Sequence, residues 1–231
     1  MLIKKLSYLI NFTNSKCLLD NGGFIVNYSP ELGRPLWAVY SVNKFNILKQ
    51  TGGRTSFKSD SRLHSKKIYQ LEPNSKIFQN NNYTRGHLVP AFMMSHLKSP
   101  VNSWNKTFLM SNIVPQNRNL NISIWHKLEK ETKELVLKND SNIHVIIGCE
   151  TLDFSQKYFF ENQNMEFQKN KTIIWFDQKN NLEYKVPNIF YQMIITNYEI
   201  FCYFAFNDSK QIITKVSYEY LEKIIDRKIL V

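Results

Sequence analysis

The stretch Tyr83-Thr84-Arg85-Gly86-His87-Leu88-Val89-Pro90-Ala91 places an arginine and a histidine two positions apart. On a β-strand such residues share a face, so both side chains would point to the same side. Histidine titrates near neutrality, which suits His87 to act as a general base toward water. The planar guanidinium of Arg85 can hold a phosphate oxygen. An Arg-Gly-His tripeptide also recurs by chance, so the stretch needs support from elsewhere in the chain.

A second stretch, Ser111-Asn112-Ile113-Val114-Pro115-Gln116, is followed by Asn121 and then by Trp125-His126-Lys127-Leu128-Glu129. The apolar spacing over residues 122–137 predicts an amphipathic helix, with Asn121 at its start. The amide oxygen of Asn121 is a suitable ligand for Mg²⁺, which keeps most of its waters and needs few protein ligands. The alternative is that Asn121 caps the helix, since the same oxygen can hardly do both.

Glu129 follows Asn121 by eight residues, which is about 12 Å of rise along a straight α-helix. Both could be direct ligands of one ion only if the helix bent or its first turn were irregular. We therefore expect Glu129 to contact water ligands of the ion instead. An ordinary solvated helix residue is the alternative reading of Glu129.

Taken together, these segments resemble the DNA/RNA non-specific endonuclease family, including the mitochondrial endonuclease G and exonuclease/endonuclease branch. Its ββα-metal (His-Me finger) motif is Asp-Arg-Gly-His, then Ser-Asn-x-x-Pro-Gln, Asn and Trp-x-x-Leu-Glu. The resemblance covers most of the chain. Residues 28–30 and 35–40 look like the family's opening strands, and residues 147–148, 186–187 and 205–207 are similar to its later core segments.

The resemblance implies roles for five residues. His87 would activate the attacking water, and Asn121 would ligate Mg²⁺, with Mn²⁺ as the alternative ion. Glu129 would hold metal-bound waters. Arg85 would stabilise the phosphate, and Asn112 would support the geometry of the catalytic site.

Two further basic residues are candidates for substrate binding. Arg54 resembles a family arginine that contacts the scissile phosphate, although its local spacing is looser, and Lys133 falls where some members place a basic residue on the helix. An exposed surface charge is the alternative for both. One departure stands out: the usual Asp before Arg-Gly-His is Thr84 here, and a hydroxyl cannot supply the charge of a carboxylate. We expect reduced or altered activity from it.

Composition limits the classes of partner. Of the 231 residues, 43% are hydrophobic and 14% aromatic, which excludes a wholly disordered chain. Lys+Arg 30 against Asp+Glu 19 leaves a formal charge of +11. That surplus favours nucleic acid, an acidic membrane surface or a phosphorylated ligand. No stretch approaches the roughly 20 apolar residues of a membrane helix, so we expect no membrane insertion.

Short segments rich in β-branched and aromatic residues predict strands, and two segments predict helices, which together indicate a mixed α+β domain. The family resemblance implies a mostly antiparallel sheet core that carries the ββα-metal motif. The predicted strands are residues 24–28, 36–42, 107–110, 144–147, 172–176, 189–196 and 201–206, and the predicted helices are residues 122–137 and 217–228. Residues 1–20 read as a weakly ordered or targeting segment and residues 21–231 as a single nuclease domain.

Cys17, Cys149 and Cys202 are far apart and form no CxxC pair, which argues against a cysteine zinc site and a dense disulfide framework. One bridge stays open. The sequons beginning at Asn82 and Asn121 overlap the candidate site, and a glycan there would block it. Both observations favour an intracellular location, cytoplasmic or mitochondrial, over secretion.

The sequence therefore supports two competing functions. The first is a Mg²⁺-dependent, sugar-non-specific nuclease with DNA and RNA as substrates. The second is a nucleic-acid-binding family member whose catalysis is weak or lost because of Thr84. A basic domain for acidic membrane surfaces lacks an amphipathic, lysine-rich segment to support it. The sequence leaves open whether the protein forms a homodimer.

Overall fold

A computed structural model describes residues 6, 10–11, 15, 17–48, 55–79, 82–95, 102–152 and 172–231. Its strands are β1 (Leu18–Asp20), β2 (Phe24–Ser29), β3 (Arg34–Val42), β4 (Tyr83–His87), β5 (Ile113–Asn117), β6 (Ile143–Glu150), β7 (Ile173–Asp177), β8 (Leu182–Val186), β9 (Ile189–Ile195), β10 (Ile200–Phe206) and β11 (Ile213–Val216). Its α-helices are α1 (Lys44–Leu48), α2 (Ser61–His64), α3 (Ser103–Lys106), α4 (His126–Lys138) and α5 (Tyr218–Ile224). A π-helical turn, called here the π-segment (Leu120–Trp125), leads directly into α4.

Seven of the described strands form one sheet in the order β1-β2-β3-β6-β9-β10-β11, and every neighbouring pair is antiparallel. Two further hairpins stand apart from it, β4 with β5 and β7 with β8. The expected mixed α+β fold with a mainly antiparallel sheet is confirmed.

The two faces of the main sheet bury different elements because side chains alternate along each strand. On one face Val26 and Tyr40 pack in a cluster with Trp125 and Leu128, which brings the π-segment and α4 against the sheet. On the other face the buried side chains pack against α5 and the chain's first described residues: Leu6, Ile10, Ile25, Val39, Leu221 and Ile224. The sheet is therefore the middle layer, and the β4–β5 hairpin and α4 lie on one side of it.

Most of the predicted elements are present with shifted ends, but the strand expected at residues 107–110 is wrong. Thr107 instead closes α3, where its backbone N–H donates to the carbonyls of Ser103 and Trp104 and its Oγ1 donates to Trp104 O at 2.7 Å. A 3₁₀ turn (Met110–Asn112) follows. The aromatic and β-branched residues that favoured a strand lie in a turn here. Phe108 packs against α3, where its ring lies 5.4 Å from that of Trp104.

All three cysteines are buried and carry free thiols, so the bridge that the sequence left open is not formed. Leu6 and Ile10 are buried as well, and Ile10 forms an antiparallel bridge with Leu230. Among the described residues, no helix has the length and apolar character that crossing a membrane requires.

Candidate active site

The β4–β5 hairpin carries the Arg-Gly-His segment. In its antiparallel register Thr84 pairs with Gln116, Arg85 with Pro115 and His87 with Ile113. Gly86 is required by close packing, because a Cβ there would lie 2.4 Å from Gln116 Oε1. Because Gly86 has no side chain, the buried Gln116 side chain can pack against β4 between Arg85 and His87.

Arg85 and His87 lie on one face of β4, as the two-residue spacing predicts, and both contact Phe57. The Arg85 guanidinium lies 5.5 Å and the His87 ring 5.4 Å from the centre of the Phe57 ring. Phe108 also contacts His87, edge-on at 5.3 Å, and lies 5.7 Å from Phe57. The aromatic rings therefore restrict the orientation of the imidazole.

The guanidinium of Arg85 is anchored by the backbone of Pro73, which precedes β4. Its Nε donates to Pro73 O at 2.7 Å, and one terminal nitrogen donates to the same carbonyl. The guanidinium carbon lies 4.8 Å from the centre of the Phe78 ring and makes a cation–π contact with it. The planar guanidinium, with its five N–H donors in a rigid fork, is the kind of group that binds phosphate oxygens.

Asn121 lies inside the first turn of the π-segment, and the N-cap residue of that segment is Asn119. Its side chain reaches across to the hairpin, where Nδ2 donates to Thr84 Oγ1 at 2.8 Å. The capping alternative therefore does not describe this residue. The bond to Thr84 engages the amide nitrogen and leaves the amide oxygen as the end of the side chain suited to a cation.

Glu129 lies on α4 with a side chain that is 12% exposed. The irregular first turn that would shorten its distance from Asn121 is present, because the π-segment occupies residues 120–125. Burial raises the pKa of Glu129, and the hydrogen bond from His126 opposes that rise. The charge of Glu129 also contributes, after burial, to the raised pKa of Tyr40 on the main sheet. Glu129 is therefore not an ordinary solvated helix residue, because most of its side chain is buried.

His126 is the partner of Glu129, with Nδ1 and Oε2 separated by 3.3 Å. The hydrogen bond to Glu129 raises the pKa of His126. The sequence motifs do not assign a role to His126. The signal that identifies it is the three-residue spacing to Glu129, which puts both side chains on one face of a helix.

Asn112 is fully buried and its amide is occupied by the backbone. Its Oδ1 accepts from Val89 N at 3.0 Å, and its Nδ2 donates to Val89 O at 3.1 Å and Thr107 O at 2.9 Å. Two of these bonds hold the backbone of Val89, two residues after His87. The side chain of Asn112 is therefore a support for His87 and not a group that faces substrate.

Lys133 is partly buried on α4, four residues after Glu129 and so on the same helix face. Arg54 lies outside the described residues.

Sequence reasoning missed two buried polar residues that hold the site together. Asp60 accepts hydrogen bonds from Arg62 and, at 2.6 Å, from Ser111 Oγ, next to Asn112. Asn207 fixes β5, because its Oδ1 accepts from Asn117 N at 2.6 Å and its Nδ2 donates to Pro115 O and Pro187 O. Neither residue has a local sequence pattern that reveals its distant partners.

Within the described part of the chain, no three His, Cys, Asp or Glu side chains cluster in a way that could hold a metal ion. This excludes a zinc-type site there but fits a hard cation held by one amide oxygen and its own waters. Asn121 and Glu129 are the residues suited to such an ion.

Comparison with known proteins identifies the family. The family model described as DNA/RNA non-specific endonuclease matches residues 5–206. The chain belongs to the DNA/RNA non-specific endonuclease family. That family consists of metal-dependent nucleases, as the sequence resemblance implied.

Individual members of the family are similar over part of the chain. Mitochondrial endonuclease G of Bos taurus is 29% identical over 133 residues, covering 57% of this chain and 42% of the relative. Mitochondrial nuclease EXOG of Xenopus laevis is 30% identical over 129 residues, covering 52% of this chain and 32% of the relative. The chain thus spans less than half the length of these relatives.

Among solved structures, a chain from a crystal structure of the EndoG/EndoGI complex, which concerns the mechanism of EndoG inhibition, has the same fold. The TM-score is 0.71 at 19% identity, and the match covers 100% of this chain and 90% of the solved one.

Proposed function

We propose that this protein is a metal-dependent nuclease that hydrolyses phosphodiester bonds of DNA and RNA, with Mg²⁺ as its ion and Mn²⁺ as a substitute. The observation that carries the proposal is that one strand, β4, carries Arg85 and His87 and also holds Asn121 through Thr84. Arg85 and His87 share Phe57 as a contact, and Asn121 of the following π-segment is bonded to Thr84 on the same strand. Family membership supports the same reaction class.

In this proposal each residue has a separate task. His87 takes the proton from the water whose oxygen bonds to phosphorus. The bond from phosphorus to the leaving sugar oxygen breaks, and that oxygen takes a proton from a solvent water. Arg85 holds the phosphate and stabilises the charge that develops on it. Asn121 would hold the ion through Oδ1, and Glu129 would contact the ion's water ligands. When bound, Mg²⁺ supplies Lewis-acid stabilisation of the phosphate.

The remaining residues position or bind. Asn112 brackets the chain after His87, and the aromatic contacts of Phe57 and Phe108 keep the imidazole oriented. Lys133, on the face of α4 that carries Glu129, would contact the substrate backbone, and Arg54 would do so at the scissile phosphate. The formal charge of +11 supports binding to a polyanion without sequence preference.

The test is digestion of circular DNA, linear DNA and RNA by the purified chain with Mg²⁺, with Mn²⁺ and with a chelator. We expect cleavage with either ion and none with the chelator. His87→Ala should reduce the rate by about 10²–10⁴-fold, the range of general-base catalysis. His64→Ala is the matched control, because His64 is an exposed histidine on α2.

Unchanged digestion by the His87→Ala variant would refute the role of His87. Salt-sensitive binding without cleavage under either ion would refute the nuclease proposal and support the alternative, a binding protein with lost catalysis. Thr84 is the residue that would explain such a loss.

A further inference from the structure

We propose that Thr84 is a positioning residue that determines which end of the Asn121 amide faces the cation. The inference rests on the proposed function, in which Asn121 holds the ion. It concerns the position where this chain departs from the family's usual aspartate. Two hydrogen bonds carry it: Asn121 Nδ2 donates to Thr84 Oγ1 at 2.8 Å, and Thr84 Oγ1 donates to Gln116 O at 3.2 Å.

The orientation follows from counting donors. A hydroxyl has one hydrogen and two lone pairs, whereas a backbone carbonyl can only accept. The Gln116 carbonyl therefore takes the hydroxyl hydrogen, and Thr84 Oγ1 is left as an acceptor. An acceptor selects the NH₂ end of the Asn121 amide, so Oδ1 must point away from Thr84. If the amide were rotated by half a turn, two oxygens would compete for one hydrogen.

The hairpin fixes the hydroxyl that makes this selection. Thr84 and Gln116 are directly paired in the β4–β5 register. Asn207 in turn holds β5 through Asn117 N and Pro115 O on either side of Gln116. The direction of the Thr84 O–H bond is therefore set by the backbone ladder and not by the mobile end of a long side chain.

This arrangement also gives Thr84 a role that an aspartate would share. A carboxylate at this position would accept from Asn121 Nδ2 as the hydroxyl does, and would add a negative charge. Thr84 keeps the orientation of the amide but not the charge. The departure from the family motif is therefore compatible with a working cation ligand at Asn121.

The test measures the affinity of the full chain for Mn²⁺ alone, without nucleic acid, from the loss of the free-ion EPR signal. Thr84→Val removes the hydroxyl but keeps the shape of the side chain. We expect it to weaken Mn²⁺ binding by about 10–100-fold, the usual effect of losing a group that orients a metal ligand. Thr84→Ser retains the hydroxyl and should bind Mn²⁺ as the unmodified chain does. Thr84→Ala replaces the valine variant if the latter does not fold.

The decisive comparison is made in an Asn121→Asp background. A carboxylate presents an oxygen in either orientation, so Thr84→Val should have no effect on Mn²⁺ affinity there. A merely structural role of Thr84 would weaken binding in both backgrounds and would overturn the inference. Equal affinity of the Thr84→Val variant and the unmodified chain would overturn it too.

One further variant separates this inference from the proposed function. If Asn121→Ala binds Mn²⁺ as tightly as the unmodified chain, Asn121 is not the ligand, and both the cation role and the inference are wrong. If Asn121→Ala loses the ion while Thr84→Val does not, only the inference is wrong.

Discussion

His126 and Glu129 form a pair in which each residue changes the proton affinity of the other. Burial raises the pKa of Glu129, and the hydrogen bond from His126 holds it lower than burial alone would. That hydrogen bond raises the pKa of His126 in return. The proposed role of Glu129 toward the ion's waters requires the ionised carboxylate. His126 therefore extends the range of pH over which Glu129 can act.

Replacing His126 tests this coupling. In His126→Leu the opposing hydrogen bond is gone, so the pKa of Glu129 should rise further. Because activity is lost as the pH falls through the pKa of Glu129, the acidic limb of the pH–rate profile should move to higher pH. The measurement is kcat/KM against pH, with His64→Leu as the control on an exposed histidine. An acidic limb that stays in place would show that Glu129 is not the group that titrates.

Asp60 provides a second prediction for a single residue. Burial alone would raise the pKa of Asp60, but hydrogen bonds from Arg62 and Ser111 hold it below its ordinary value. A carboxyl with a lowered pKa stabilises the fold above its unfolded pKa, and this contribution is lost as the pH falls through the folded pKa. Asp60→Asn removes the charge and replaces one acceptor oxygen by an NH₂ group, so the donors bonded to that oxygen lose their acceptor, and it should cost about 1–3 kcal/mol near neutrality.

The free energy of unfolding in urea, measured near neutral and acidic pH, checks the Asp60 prediction. Asp140→Asn is the matched control, because Asp140 pairs with Lys44 at the exposed surface and should contribute little. Equal losses for the two variants, or a loss for Asp60→Asn that does not shrink in acid, would contradict the argument.

At the scale of elements, the π-segment sets the angle between Asn121 and the rest of the helix. The buried positions Leu120, Trp125 and Leu128 are separated by five and then three residues, whereas α4 continues at intervals of four. A five-residue interval fits the wider π turn and not an α-helix, and π turns are frequent at functional sites. The sequence contains this signal, but it resembles an imperfect α-helical pattern.

Deleting Ile122 tests the role of the π-segment. Ile122 is 60% exposed, so its removal costs little packing. The segment would shorten to an α-helical turn, and Asn121 would rotate by about 100° relative to α4, the angle of one residue in an α-helix. We expect a folded protein that has lost most of its Mn²⁺ affinity and its cleavage. A fully active deletion variant would show that the π-segment does not position Asn121.

Asn207 links the hairpin to the main sheet, and it provides the second prediction at this scale. Asn207→Ala removes one acceptor and two donors and should destabilise the fold by about 1–3 kcal/mol. Hydrogen exchange of the β4 and β5 amides should become faster, while that of β2 and β3 should change less. Asn180→Ala, in the exposed β7–β8 turn, is the control. Uniform acceleration across all strands would indicate global destabilisation instead of a local clamp.

Local pattern predicted the strands whose own residues favour β-structure, even where their partner strand is distant, as β6 is from β3. The β-branched runs in β2, β3, β6, β9 and β10 predict buried strands. The two-residue spacing of Arg85 and His87 predicts that they share a face, and their common contact with Phe57 agrees. β5 was not predicted as a strand, because its Pro115 and Gln116 are unfavourable in a strand when read alone. Its pairing with β4 depends on chain far away, which local propensity does not register.

For the candidate site too, the sequence predicted some residues but not the contacts between them. Motif resemblance selected His87, Asn121 and Glu129, but it did not give the hydrogen bond between Asn121 and Thr84 or the pairing of Glu129 with His126. Asp60 lies 51 positions from Ser111, and Asn207 lies 90 positions from Asn117. Contacts of that range are determined by the topology of the sheet and carry no signature in a single sequence.

For the whole molecule, the relevant quantity is the formal charge of +11. If nucleic acid is the partner, binding releases counterions, so log K falls linearly with log salt concentration. The slope is about −0.9 per neutralised phosphate on duplex DNA and about −0.7 on single strands. Binding of the His87→Ala variant to a duplex and to a single-stranded oligonucleotide, measured across salt concentrations, gives the number of phosphates contacted in each case.

The same measurement decides whether Lys133 is one of those contacts. Lys133→Gln should make the salt slope shallower by about one phosphate, because a backbone contact weakens binding uniformly across sequences. Lys223→Gln is the control. Lys223 is exposed on α5, and that helix packs against the sheet face opposite the hairpin. If the two variants changed the slope equally, the charge would act as a diffuse field over the whole surface. A change confined to Lys133→Gln would instead locate the substrate backbone along α4, on the side of the sheet that carries His87 and Asn121.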